Sequence, residues 1–169
     1  MRNENERIEG ERLRLRPVVA DDVPTLRDYL RDPGVGRWWP LPEDERWPFD
    51  DDAVTPWTIE VDGQVAGMIQ YLEEADPDYR HASIDVFLGP PFHGRGLGPE
   101  AVATLVRYLI DVRGHHRITI DPALENERAI ATYEKIGFRR VGVLRQYERD
   151  VLTGGWHDNL LLDLLADEL

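Results

Sequence analysis

The chain has 169 residues, of which 41% are hydrophobic, enough for the core of one domain. Its 20 lysines and arginines against 33 aspartates and glutamates give a formal net charge of −13, which disfavours nucleic acid and favours either a cationic ligand or simple solubility. Cysteine, a signal-peptide pattern and an apolar run of roughly 20 residues are all absent, so we expect a cytoplasmic protein without disulfides, a thiol nucleophile or a membrane span.

The first ten residues show no apolar periodicity, so the sequence predicts a flexible tail over residues 1–10 and a single domain over residues 11–169. No internal repeat or low-complexity linker divides that domain. Apolar periodicity predicts the order strand, helix, three strands, helix, strand, helix and two strands. The expected strands cover 13–17, 57–61, 64–72, 81–88, 118–120, 138–147 and 156–165, and the expected helices cover 23–30, 98–113 and 127–136.

Turn and capping signals mark several boundaries between these elements. Asp62-Gly63 favours a two-residue hairpin turn, since both central positions of such a turn require positive φ. Asp21 or Asp22 is expected to cap the first helix, and Asn126 to cap the last one. The pattern predicts a mixed, mostly antiparallel sheet with helices between some of its strands.

A glycine-rich segment, Gly94-Arg95-Gly96-Leu97-Gly98, lies between a predicted strand and a predicted helix. Backbone N–H groups that the helix leaves free can converge there on a phosphate, which side chains would obstruct. The dinucleotide-binding pattern needs glycine where this chain has proline, and the nucleoside-triphosphatase loop needs a Gly-Lys-Ser/Thr that is absent. The segment is therefore predicted to hold an anion, with a merely tight turn as the alternative.

Two segments resemble the GNAT acetyltransferases. Residues 92–101, FHGRGLGPEA, resemble the pyrophosphate loop of that family, with His93 where Arg or Gln is usual. Residues 126–138 resemble the family pattern Asn-x-x-Ala-x-x-x-Tyr-x-x-x-Gly-Phe, in which the helix lies along CoA. The resemblance implies the α/β GNAT fold, with a sheet splayed between its fourth and fifth strands and helices on both faces. It also implies acetyl-CoA as co-substrate, contacted by Val86, Phe87, Leu88, His93, Gly94, Arg95, Gly96, Leu97, Gly98, Asn126, Ala129 and Tyr133.

Two side chains are candidates for proton transfer. The resemblance implies that Tyr133 faces the sulfur of CoA, where a phenol can protonate the departing thiolate; a core tyrosine is the alternative. A primary amine has a pKa of about 10 and arrives protonated, so a carboxylate that accepts its proton is useful, and Asp85 is the candidate, acting directly or through water. Asp121 ends the neighbouring strand and would orient the substrate. No metal site is predicted.

The segments around Asp85 and Asp121 also resemble aminoglycoside 6′-N-acetyltransferases, which place aspartates at both matching positions. That resemblance adds Trp38, Trp39 and Gln70 as acceptor-side residues, although paired tryptophans also suit simple packing. It predicts the 6′-amine of an aminoglycoside as the acceptor, and hence a role in antibiotic resistance.

Other acceptors and one other class of protein stay open. Residues 156–162 resemble GNAT enzymes that acetylate the N-termini of ribosomal proteins, so a peptide amine is the leading alternative, and polyamines are a further one. A non-catalytic CoA-binding module that regulates a partner is the alternative from another class, although the presence of both Asp85 and Tyr133 argues against it. The expected partner is a small cationic amine, and both a monomer and a homodimer are open.

Overall fold

The structure is a computed structural model that describes residues 5–169. Its strands are β1 (Ile8–Glu9), β2 (Arg14–Pro17), β3 (Val54–Val61), β4 (Gln64–Glu73), β5 (Ala82–Leu88), β6 (Arg117–Ile120), β7 (Arg139–Arg149) and β8 (Trp156–Leu165). Its α-helices are α1 (Val23–Arg31), α2 (Pro33–Gly36), α3 (Leu97–Asp111) and α4 (Glu127–Ile136). Within the described residues, no helix has both the length and the apolar character that crossing a membrane requires.

One sheet contains all eight of these strands, in the order β1-β2-β3-β4-β5-β6-β8-β7. Each neighbouring pair is antiparallel except β5 and β6, which are parallel and pair only at Ala82 with Ile118 and at Ser83 with Thr119. β5 continues to Leu88 after this pairing ends, so the sheet opens between the two strands. The predicted fold class, with its splay between the predicted fourth and fifth strands, is confirmed.

Helices cover both faces of the sheet because successive strand residues point to opposite sides. On β4, Met68 packs in a cluster with Leu26 of α1 and Val35 of α2, whereas the adjacent Ile69 belongs to the larger core that includes Leu105 of α3. Met68 and Ile69 are both fully buried, so truncating either to alanine should cost about 2–5 kcal/mol of folding free energy. Helices α1 and α2 therefore cover one face of the sheet and α3 covers the other.

The N-terminal prediction needs a correction. Ile8 pairs with Leu15 and Glu9 with Arg14 in a short antiparallel contact, so this part of the predicted tail is a strand. Ile8 also packs against the main core. A strand of two residues is too short to show a periodic pattern, which is why the sequence does not reveal it. For residues 1–4 the predicted tail lies outside the described residues.

Asp22 occupies the predicted N-cap position of α1, but its side chain makes no capping hydrogen bond. Asp22 is 3% exposed, and its carboxylate accepts hydrogen bonds from the Arg16 guanidinium at 2.7 and 2.9 Å and from the Thr58 hydroxyl at 2.8 Å. Burial alone would raise the pKa of Asp22, but these donors and the Val19 N–H hold it below its usual value. Asp22 therefore joins β2 and β3 to the start of α1 instead of capping the helix.

Two other local predictions are confirmed. Asp62 and Gly63 both have positive φ, 50° and 75°, and form the turn between β3 and β4. The Asn126 side chain accepts a hydrogen bond from the Ala129 N–H at 3.3 Å and caps α4. The α4 helix ends at Gly137, whose φ of 124° suits glycine.

Candidate active site

Two adjoining cavities lie where β5 and β6 separate. The first, of about 530 Å³, is lined by the ends of these strands and by residues of β4 and β7, and we call it the carboxylate cavity. The second, of about 510 Å³, lies along the glycine-rich segment and α4, and we call it the glycine cavity. Five residues line both cavities and mark their junction: Trp38, Trp39, Val86, Asn126 and Tyr133.

The glycine cavity is bounded by backbone that only glycine adopts readily. Gly94 and Gly96 have φ of 72° and 73°, in the left-handed region, and Gly96 immediately precedes α3. The first N–H groups of a helix have no intrahelical partner and carry the positive end of its dipole. The segment therefore offers a concave row of donors suited to an anion.

All but one of the residues predicted to contact acetyl-CoA line this cavity. The exception is Arg95, whose guanidinium lies over the Phe92 ring, 5.7 Å from its centroid. The His93 ring does line the cavity, and its Nε2 lies 2.8 Å from the Leu88 carbonyl oxygen, to which it donates as the Nε2–H tautomer. The His93 side chain thus fastens the glycine-rich segment to the end of β5.

One side of α4 presents Asn126, Ala129 and Tyr133 to the glycine cavity, since residues three and four apart share a helix face. The Tyr133 ring packs edge-on against Phe138, with a centroid distance of 6.2 Å. Burial, and secondly the negative charge of Asp85, raise the pKa of the Tyr133 phenol. The phenol therefore keeps its proton at neutral pH.

The carboxylate cavity brings together every residue predicted for catalysis or acceptor binding, namely Trp38, Trp39, Gln70, Asp85, Asp121 and Tyr133. Asp85 lies opposite Gln70 in the β4–β5 register, and the Gln70 amide donates to the Asp85 carboxylate at 3.3 Å. The Asp85 carboxylate is open to the cavity but surrounded by protein, and this burial raises its pKa against the effect of the Gln70 hydrogen bond.

Asp121 directly follows β6 and faces Asp85 across the splay. Burial, and then the charge of Asp85, raise the pKa of Asp121 to about 6, while a hydrogen bond with Tyr147 acts in the opposite direction. Two carboxylates that disfavour each other's ionisation create a strong preference for a positive charge between them. The cavity is thus electrostatically suited to an ammonium group.

A third carboxylate, Glu148 on β7, lines the same cavity and was not predicted. The side-chain amide of Asn159, which is 1% exposed, donates to the Glu148 carboxylate at 2.8 Å and to the Asp121 carbonyl at 2.7 Å. The β7–β8 register shifts between Leu144 and Glu148, and Gln146 has a φ of 46°. This irregularity breaks the strand alternation that would have shown which face Glu148 occupies.

The two tryptophans are packed and also line both cavities. Trp39 meets Phe87 edge-on at a centroid distance of 4.9 Å, and the Arg37 guanidinium lies 4.3 Å from the Trp38 ring centroid. The two tryptophans therefore pack against neighbouring side chains and line the cavities at the same time. In residues 5–169, no group of three or more histidines, aspartates and glutamates is arranged to hold a metal ion.

Comparison with protein families decides the class of this protein. A family model described as "Acetyltransferase (GNAT) domain" matches residues 12–139, about three quarters of the chain. The chain belongs to the GNAT acetyltransferases. It is therefore an enzyme that transfers an acetyl group to an amine.

Individual GNAT relatives differ in the acceptors that their names give. The chain is 26% identical over 141 residues to the spermidine N(1)-acetyltransferase of Escherichia coli K12, covering 78% of this chain and 75% of the relative. It is 29% identical over 153 residues to the aminoglycoside N(6′)-acetyltransferase type 1 of Klebsiella pneumoniae, covering 77% and 75%. The structure of Mycobacterium smegmatis RimJ in complex with CoA-disulfide superposes with a TM-score of 0.85 at 24% identity, covering 97% and 89%.

GNAT acetyltransferases use acetyl-CoA as the acetyl donor, and the glycine cavity fits that molecule. The start of α3, a 15-residue helix, and the left-handed Gly94 and Gly96 suit a diphosphate. The cavity then continues along α4 to Tyr133, where it meets the carboxylate cavity. A GNAT enzyme needs such a junction, because donor and acceptor must meet for direct transfer.

Proposed function

We propose that this enzyme acetylates a primary amine of a polycationic small molecule, and that the 6′-amine of an aminoglycoside is its acceptor. The observation that carries the proposal is the convergence of Asp85, Asp121 and Glu148 on one cavity of about 530 Å³. That volume lies within the range of cavities that hold drug-sized ligands, and three carboxylates suit a ligand with several ammonium groups. The relative from K. pneumoniae, named for this activity, supports the same acceptor.

The donor side of the proposal assigns acetyl-CoA to the glycine cavity. Backbone groups of residues 93–98 would hold its pyrophosphate, and Asn126, Ala129 and Tyr133 would flank its pantetheine arm. Pairing between β5 and β6 ends at Ser83, so the edge of β5 that faces the splay is available for Val86, Phe87 and Leu88 to contact the acetyl end. An N–H group there would stabilise negative charge on the acetyl oxygen.

Proton transfer is assigned to two side chains that face the junction. Starting from the ammonium form, the reaction forms a C–N bond, breaks a C–S bond, removes two protons from the nitrogen and adds one to the sulfur. Asp85 takes the first nitrogen proton, and the second, lost as the C–S bond breaks, replaces through water the proton that Tyr133 gives to the sulfur. Asp85 accepts the amine proton, directly or through water, because its carboxylate is ionised above its raised pKa. Tyr133 donates its hydroxyl proton to the sulfur, since burial keeps the phenol protonated at neutral pH. Asp121 holds the ammonium form beforehand and orients it.

Polyamines are a second candidate acceptor. The relative from E. coli is named for spermidine, which carries several amines on a flexible chain, and the same three carboxylates suit it. The aromatic wall of Trp38 and Trp39 favours a ring-bearing acceptor over a linear one, because flat rings offer contact area to sugar rings and cations. Aminoglycosides therefore come first in the proposal.

Release of free CoA from acetyl-CoA tests the acceptor directly. Purified enzyme would be assayed with kanamycin, tobramycin, spermidine and an N-terminal peptide, with an acceptor-free reaction to correct for hydrolysis. Turnover confined to the aminoglycosides, with the product acetylated at the 6′-amine by NMR, is the expected result. Turnover with only spermidine or the peptide would overturn the acceptor, and CoA binding without any turnover would favour a non-catalytic module.

We also propose that residues 11–169 act as one domain and that the enzyme works in the cytoplasm. The continuous sheet from β2 to β8 supports the first point, because β8 and all of β7 except Arg139 lie beyond the matched residues 12–139 but complete the same sheet. Limited proteolysis that leaves residues 11–169 intact would support it, and a stable smaller core would oppose it.

A further inference from the structure

Arg12, in the connection between β1 and β2, reaches across to the glycine-rich segment. One guanidinium nitrogen, Nη1, donates to the Arg95 carbonyl at 2.6 Å, and Nη2 donates to the Gly96 carbonyl at 3.2 Å. The Nε of Arg12 donates to the Glu100 carboxylate at 2.8 Å, and the Arg12 backbone N–H donates to the same carboxylate at 2.7 Å. One residue thus holds two successive carbonyl groups and the first turn of α3.

The direction of these carbonyl groups fixes the direction of the donors that face the cavity. In a planar trans peptide, the C=O of one residue and the N–H of the next point in opposite directions. The Arg95 and Gly96 carbonyls point toward Arg12, so the N–H groups of Gly96 and Leu97 point away from it. The Gly96 carbonyl also accepts the Glu100 N–H at 3.4 Å, so Arg12 shares the orientation of the Leu97 N–H with the start of α3, whereas it holds the Arg95 carbonyl by its shortest hydrogen bond. Gly96 and Leu97 line the glycine cavity, which is where those N–H groups are needed.

We propose that Arg12 is a positioning residue for acetyl-CoA, which orients the Gly96 and Leu97 N–H groups toward the pyrophosphate. This inference rests on the proposed function, because it takes the glycine-rich segment as the pyrophosphate site. Arg12 touches the outer side of the segment and acts only through it. A loop held in its binding geometry before the ligand arrives loses less entropy on binding.

Glu100 completes the arrangement. It lies in the first turn of α3, where a carboxylate interacts well with the helix dipole but would repel a phosphate. Burial would raise the pKa of Glu100, yet the hydrogen bonds from Arg12 keep it below its usual value. The Arg12 guanidinium therefore also offsets the negative charge in the first turn of α3.

A purely structural role would give a different result from a positioning role. The Arg12 side chain is 54% exposed, and Glu100, which is 14% exposed, keeps its hydrogen bond from the Arg12 backbone N–H when the guanidinium is removed, so the loss of stability should be small. Arg14, two residues further, is a matched control, because its side chain is 47% exposed and pairs with Glu9 at 3.3 Å and Glu60 at 3.8 Å. Replacing either arginine should leave the melting temperature nearly unchanged, but only Arg12 should affect the donor.

The test compares Arg12→Met with Arg14→Met. By calorimetry, Arg12→Met should raise the Kd of CoA about tenfold, as expected from losing two charge-assisted hydrogen bonds that orient the loop, while Arg14→Met leaves it unchanged. With S-acetylpantetheine, a donor without pyrophosphate, kcat/KM should be the same for Arg12→Met and the unmodified enzyme. An unchanged Kd for CoA, or an equal loss with S-acetylpantetheine, would overturn the proposal.

A double variant separates orientation from charge. In Arg12→Met/Glu100→Gln the carboxylate that Arg12 offsets is removed together with Arg12. The Kd of CoA should stay near the tenfold-raised value if orientation is the cause; recovery to the original Kd would overturn it. CoA binding is measured without any acceptor, so a wrong acceptor assignment would leave this result intact.

Discussion

The two cavities that meet at Tyr133 are built in different ways. The glycine cavity takes its shape from one continuous stretch, residues 93–98, and from one face of α4. The carboxylate cavity takes its character from side chains on separate segments, among them Trp38, Gln70, Asp85, Asp121 and Glu148. On the proposed assignment, backbone would bind acetyl-CoA, the donor that GNAT enzymes share, whereas side chains would bind the acceptor, which differs among them.

The electrostatics of the two cavities are also opposite. The one acidic residue that lines the glycine cavity within the described chain is Asp32, and its carboxylate is already engaged by the N–H groups of Gly34 and Val35. In the carboxylate cavity, Asp85 and Asp121 both have raised pKa values because they are crowded and partly buried. The glycine cavity thus suits an anion and the carboxylate cavity suits a cation. Variants at Tyr133, where the cavities meet, and in the carboxylate cavity test this difference.

The largest effect is expected from Asp85→Asn. Losing a general base should lower kcat/KM about 10³-fold at neutral pH, while the Kd of CoA stays the same. If ionised Asp85 is the base, as proposed, the activity should rise with pH through the raised pKa of that group. The kcat/KM of the variant should fall most at lower pH and recover partly above pH ~9, where more of the acceptor amine is already neutral. A parallel loss at every pH would argue against a base.

Tyr133→Phe should come next, with kcat about 10²-fold lower, because the departing sulfur loses its proton donor. The phenyl ring still packs against Phe138, so the variant should bind CoA as before and melt at nearly the same temperature. Single-turnover kinetics would measure the chemical step. An undiminished rate would remove the proton-donor role and leave Tyr133 as a packing residue of the junction.

Asp121→Asn should act on the acceptor rather than on the donor. Its pKa of about 6 means that the carboxylate is ionised at pH 7.5 and increasingly protonated below pH 6. The acceptor KM of the unmodified enzyme should therefore rise as the pH falls through 6. The variant should have a KM about tenfold higher at pH 7.5, equal to losing about 1.4 kcal/mol of binding, and a flatter dependence below pH 6. Initial rates at several pH values would show both the higher KM at pH 7.5 and the flatter pH dependence of KM below pH 6.

The same variant should fold more stably. Because the native pKa of Asp121 lies above the ordinary value of roughly 4, the native state binds more protons between these values, and stability falls as the pH rises through that window. The loss of folding stability caused by ionised Asp121 persists at pH 7, and it is absent from the Asp121→Asn variant, whose side chain carries no charge. Partial exposure reduces this loss, so we expect a gain of about 1 kcal/mol at pH 7 and almost none at pH 3. Urea unfolding at the two pH values measures the difference.

The positions of the site residues were predictable from sequence where they lie within short continuous segments. The glycine-rich run and the Asn126 to Tyr133 spacing carry their own geometry, because a helix start and a helix face are local features. Asp85 and Asp121 line the same cavity, as expected from a parallel pair of strands in which β6 ends at Ile120 while β5 continues past Asp85. The position of each residue needed at most the order of the strands, whereas the roles of Asn126 and Tyr133 beside CoA came from the resemblance to GNAT acetyltransferases.

The missed residues depend on contacts between distant segments. Arg12 meets the glycine-rich segment from more than 80 positions away, and Asn159 reaches Asp121 and Glu148 across the β6–β8 and β7–β8 pairs. Asp22 was misread for the same reason, since its partner Thr58 lies on β3. Capping propensity is local, whereas a buried ion pair needs the whole fold to bring its members together.

Glu148→Gln is the smallest predicted effect and the one most specific to the acceptor. If Glu148 binds a second ammonium group, the variant should raise KM about threefold for kanamycin or spermidine, which is within the range of one exposed ion pair. It should leave KM unchanged for an acceptor with a single amine. Asp111→Asn, at the end of α3 away from the glycine-rich segment, is a charge-matched control that should change the KM for neither kind of acceptor. Equal changes for both kinds of acceptor would mean that Glu148 supports the cavity wall through Asn159 without binding a cation, and the polycationic class would then rest on Asp85 and Asp121.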